Sequence, residues 1–199
     1  IKTEYIYSSR RTWRVPSYIT EVDQDFWSDY GGNFNDIHSK DKFLKAMEID
    51  DEKVFYDLFP GIDLDAIDFD DWSEGQPAKR LLPMIRTSEK YNDYLLERAR
   101  EKRVLACGYL KQEVNPEEKS AFVEFYGRGY NQRCHSRLWN EIRGKEEPVY
   151  YYYAKSVYPT TDSCIRYNMT TASEDLIFME AIFANMPYMS LERYEERSG

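Results

Sequence analysis

The sequence predicts an α+β fold, a mainly antiparallel sheet covered by helices, with a buried helix near the C-terminus. Three observations carry this expectation. Runs rich in aromatic and β-branched residues recur near 4–22, 104–114, 149–158 and 163–169. Helical spacing and stop signals mark 40–58 and 88–102. Residues 173–185 are apolar nearly all round, as a helix buried on every side must be.

In chain order, Tyr5–Tyr7 and Trp13–Val22 read as extended pieces around a polar Ser8–Thr12 turn, with Pro16 suiting an edge or a bulge. Asp23–Trp27 fits a short helix closing at Gly31-Gly32. Lys40–Met47 and Asp51–Phe59 fit two more, the second stopped by Pro60-Gly61. Ser88 stands where a helix cap belongs, and Tyr91, Tyr94, Leu95 and Ala99 follow at helical spacing. Val104–Val114 reads as a strand, while Ala121–Tyr126 fits strand or helix. Val149–Tyr158 contains four consecutive tyrosines and reads as a strand, or as a helix led by Pro148. Thr171 and Glu174 stand at capping-box spacing before the C-terminal apolar run. The chain is read as a single domain, 1–199, with a possible internal boundary at 73–78. A mostly helical chain is the alternative.

Composition narrows the function classes. At 42 % hydrophobic and 16 % aromatic, the chain has the means to build a core, which disordered chains lack. The net charge is −9, and residues 21–74 alone carry 17 acids and 4 lysines. Non-specific grip on nucleic acid needs a positive footprint, so only a local basic patch could serve that role. Three cysteines without a CxxC pair argue against a disulfide scaffold, and no apolar run approaches the ~18 residues of a membrane span. These features predict an intracellular protein, cytoplasmic or nuclear, without membrane association.

Two segments stand out as contact surfaces. Residues 62–72 nearly alternate apolar and acidic side chains, and Asp63, Asp65, Asp68, Phe69, Asp70 and Trp72 form an acidic-aromatic candidate for docking a basic protein partner. The spacing of Asp63, Asp65, Asp71 and Glu74 matches positions 1, 3, 9 and 12 of a calcium loop, but Asp68 replaces its glycine and Ile67 supplies no oxygen. The second segment interleaves Arg128, Arg133, Arg137 and Arg143 with Tyr130 and Trp139, a composition that can hold single-stranded nucleic acid. Intramolecular pairing with the acidic 21–74 stretch would use the same arginines.

Catalytic signatures are sparse. The chain lacks a phosphate loop, a GxSxG and an HExxH, and no cofactor or metal is expected. Its two histidines, His38 and His135, with nearby acids are the residues a hydrolase or nuclease would use. Cys134 adjoins His135, but neighbours on one backbone normally diverge, so adjacency alone makes no catalytic pair.

The histidines also sit in an internal echo. Tyr30-Gly31-Gly32-Asn33-Phe34-Asn35 leads to His38, and Tyr126-Gly127-Arg128-Gly129-Tyr130-Asn131 leads to His135. Each follows an acidic, aromatic stretch and precedes an aromatic run. These units, residues 117–155 above all, resemble SANT/Myb-like repeats, although the regularly spaced tryptophans of Myb repeats are missing. The resemblance implies three-helix units and a chromatin or protein-interaction role. A non-catalytic protein-interaction module is the leading expectation.

Overall fold

The computed structural model describes residues 6, 9–22, 24–27, 34–127, 130–156, 164–168 and 194–195. The chain is mostly helical. Its helices are α1 (Arg10–Arg14), α2 (Gln24–Trp27), α3 (Lys40–Ala46), α4 (Glu52–Leu58), α5 (Pro77–Ile85), α6 (Glu89–Glu113) and α7 (Tyr130–Arg143). Strands β1 (Phe122–Gly127), β2 (Val149–Ser156) and β3 (Cys164–Asn168) pair in that order, all parallel. The chain divides into two compact units, one of Ile1–Ser17 with Ala99–Gly199 and one of Tyr18–Arg98. Residues 73–78 lie within the second.

The expected antiparallel sheet covered by helices is therefore corrected, and the reasons are local. Ser9 accepts a hydrogen bond from the Thr12 N–H (3.3 Å), and the Thr12 hydroxyl accepts one from the Ser9 N–H (2.9 Å). This reciprocal box turns Arg10–Arg14 into a helix, continued as a 3-10 turn over Val15–Ser17, where extended chain was expected. Val104–Glu113 is the last part of α6. Its inward positions, Ala106 and Leu110, continue the stripe of Tyr91, Leu95 and Ala99, and all five are fully buried. Val104, with which the expected strand began, is 71 % exposed. Ser88 does cap the helix, its hydroxyl accepting from the Tyr91 N–H at 3.3 Å. The expected C-terminal helix, 173–185, lies outside the described residues.

The strands near 149–158 and 163–169 form, but in parallel. Phe122, Tyr151 and Arg166 share one line of the register, and Val123, Tyr152 and Tyr167 the next. A parallel pair cannot close through a hairpin, and α7 is the crossover between β1 and β2. The same β1–α7–β2 order overturns the SANT-like reading of 117–155, which needs three helices. The echo of the histidine motifs also fails as a repeat. His38 lies exposed ahead of α3, whereas His135 is buried in the middle of α7.

Each unit has its own core. In the second, Phe34, Phe43, Phe55, Phe59 and Tyr91 form a chain of rings 5.1–6.4 Å apart. The Tyr91 hydroxyl closes it by donating to the Met47 carbonyl at 2.8 Å. In the first, Trp13, Ala106, Leu110, Leu138, Trp139 and Tyr151 pack together with Tyr130, Cys134 and Val149. Gly144, at φ +63°, ends α7 in the left-handed conformation that favours glycine.

Candidate functional site

The acidic-aromatic segment folds neither as a strand nor as a regular helix. It is a 3-10 turn over Leu64–Ala66 followed by tight turns. Three aspartates build it. Asp63, Asp68 and Asp71 each accept from the backbone N–H two residues on, at 3.0, 3.0 and 3.1 Å. These bonds aim Leu64 and Phe69 inward, where both are buried and Phe69 packs 5.6 Å from Phe43. The carboxylates are left outside. Asp65 pairs with Lys40 at 2.5 Å, and Glu52 takes a second Lys40 hydrogen bond at 2.9 Å. Those two acceptors raise the lysine's pKa, fixing it as a cation.

The end of the segment brings in a residue from far along the chain. His38 Nδ1 lies 2.7 Å from Asp70 Oδ1, and the imidazole stacks on the Trp72 indole at 4.8 Å between centroids and 17° between planes. Trp72 is held by its own Nε1–H, which donates to the Phe69 carbonyl at 3.0 Å, and the residue remains 38 % exposed. The His38 and Asp70 side chains are 45 % and 72 % exposed. The result is a solvent-facing rim of a planar imidazole, an indole and the carboxylates of Asp68, Asp70 and Asp71.

Of the six residues singled out here by sequence, Asp68, Asp70 and Trp72 meet on this rim. Asp63 caps the 3-10 turn, Asp65 belongs to the Lys40 pair, and Phe69 is a core anchor. His38 joins this rim, although sequence pointed to it as a catalytic candidate. The His38–Asp70 pair resembles the base and orienting acid of a catalytic triad. Among the described residues, no serine, threonine or cysteine side chain is hydrogen-bonded to it.

His135 occupies the opposite environment. It is fully buried, with Phe122, Trp13, Tyr151 and Trp139 at 4.2, 4.6, 5.9 and 6.1 Å between ring centroids. Its Nδ1 lies 2.6 Å from the Tyr151 oxygen. Burial lowers the imidazole pKa from 6.5 to about 3. Burial also pushes the thiol of neighbouring Cys134 up, so the pair holds neither a thiolate nor a solvent-accessible base. Cys107 borders a groove of about 300 Å³ beside Lys111 and Glu141, and burial, then Glu141, pushes its thiol up too.

The arginine–aromatic patch does not assemble as read from sequence. Arg128 lies outside the described residues. Tyr130 and Trp139 are buried in the core and present no open face on which a base could stack. Arg133 sits over the Tyr130 ring at 5.1 Å, and Arg143 and Lys145 both pair with Glu147. Arg137 is half-buried on the same helix. Sequence periodicity contains the signal for this outcome: Tyr130, Cys134 and Leu138 lie four apart, with Trp139 beside the last, on one face of α7.

Among the described residues, no group of three or more His, Cys, Asp or Glu side chains is placed to hold a metal ion. No helix of the described residues is long and apolar enough to cross a membrane. No family model matches the chain, and no curated protein matches it in sequence.

Proposed function

We propose that the chain is a protein-interaction module whose second unit receives a basic segment of a partner protein at the rim formed by Asp68, Asp70, Asp71 and Trp72. The observation that carries this reading is the exposed Trp72 indole set among carboxylates. Aromatic residues are enriched where interfaces bury their centre, and a ring beside carboxylates attracts cations by both its face and its neighbours' charge. The wider field acts in the same sense. Residues 18–98 carry 20 acidic and 9 basic residues, against 16 and 18 in the other unit. A body so charged steers a basic partner toward itself and speeds encounter.

The test is titration of a mixed lysine–arginine peptide against the protein at low ionic strength, with thermal melting in parallel. Wild type binds and weakens as salt rises. Combining Asp68→Lys with Asp70→Lys weakens binding about tenfold or more. The fold should survive, since losing the Asp68 turn bond costs only about 1 kcal/mol. Equal binding by the double variant and the wild type rejects this surface.

A further inference from the structure

The contact between His38 and the rim has the form of an occupied binding seat. A flat heteroaromatic ring lies on the Trp72 indole, 17° from parallel, and directs a ring nitrogen to Asp70 Oδ1 at 2.7 Å. This is the arrangement an arginine guanidinium adopts when it stacks on an aromatic face and donates in its own plane to a carboxylate. An ammonium has no plane and cannot reproduce both contacts at once. His38 lies 32 residues before Asp70 in the chain, so the contact is tertiary and is separate from the local bonds of the turns that build the rim. Those turns are held by Asp68, Asp71 and the Trp72 indole N–H, none of which bonds to His38.

The geometry points to Trp72 and Asp70 as an arginine-selective seat that His38 fills in the free protein, so that an incoming arginine side chain must displace the imidazole. This rests on the proposed interaction surface and adds both the partner's side chain and an autoinhibitory contact. The charge excess of the second unit favours the same occupant.

Two peptides of equal length and charge, one presenting arginines and one lysines, are titrated calorimetrically against wild type, His38→Ala, Asp70→Asn, Trp72→Ala and the His38→Ala/Trp72→Ala pair. All the altered side chains are at the surface, and melting curves report any loss of fold. The seat predicts that wild type prefers the arginine peptide. It also predicts that His38→Ala tightens that peptide by about threefold or more, since the free protein no longer spends time occluded. Trp72→Ala abolishes this gain in the paired variant, and Asp70→Asn weakens the arginine peptide. If both peptides bind wild type equally, or if His38→Ala weakens the arginine peptide, His38 is part of the contact surface and the seat is wrong, while the acidic rim stands. If neither peptide binds any folded variant, the rim itself is wrong.

Discussion

The Tyr151 hydroxyl joins His135 to the backbone of its own helix: it donates to the Gln132 carbonyl at 3.1 Å and lies 2.6 Å from His135 Nδ1. With its one proton committed to the carbonyl, the hydroxyl oxygen is the acceptor and Nδ1–H the donor. The other ring nitrogen, Nε2, has no hydrogen-bond partner among the described residues. An imidazolium would need two acceptors, and this core supplies one.

That relationship makes stability depend on pH. The His135 pKa falls from 6.5 in the open chain to about 3 in the fold because burial penalises the cation. Below pH 6.5 the unfolded state therefore binds the proton and the folded state does not. Stability is complete above that value, and is lost progressively as pH falls toward 3. The full loss from this group is roughly 4–5 kcal/mol. Replacing the ring by His135→Phe should flatten the denaturation free energy between pH 6 and 4 by about 1.4 kcal/mol per pH unit relative to wild type. Parallel curves for the two proteins would mean that His135 titrates as an exposed histidine. Tyr151→Phe, which strands both Nδ1 and the carbonyl, should cost about 2 kcal/mol or more in urea at neutral pH.

Phe69 and Trp72 are three residues apart and should respond in opposite ways. Phe69→Ala opens a cavity against Phe43 and should cost about 3–5 kcal/mol, enough to unfold the second unit or lower its melting point sharply. Trp72→Ala removes a partly exposed ring and its turn bond to the Phe69 carbonyl, and should cost less, about 1–2 kcal/mol. Comparable losses at the two positions would contradict the division into an inner anchor and an outer rim.

Gly108 reports on where α6 ends. It lies inside the helix, and a Cβ added there meets no atom within 4 Å. Gly108→Ala should raise stability by about 0.5–1 kcal/mol through helix propensity and reduced freedom of the unfolded chain. A destabilised variant would show that residues 104–113 are not helical.

What could be read from the chain alone were the features set by near neighbours. The cap at Ser88, the helices over 40–46 and 52–58, the strand at 164–168 and the acidity of 21–74 all follow from residues a few positions apart, whereas Val149–Tyr158 fits strand or helix by its own composition. Val104–Val114 was misread because Val104, Leu105, Tyr109 and Leu110 have strand-type composition, while their fate was decided by a stripe that begins at Tyr91. Parallel pairing was beyond local signals, because strand composition is the same for either direction and the choice lies in the crossover. Tertiary structure alone decided that His38 meets Asp70 and Trp72. The physical reason is common to these cases: composition and spacing govern which local conformation costs least, whereas burial and long-range contact depend on which faces the folded chain brings together.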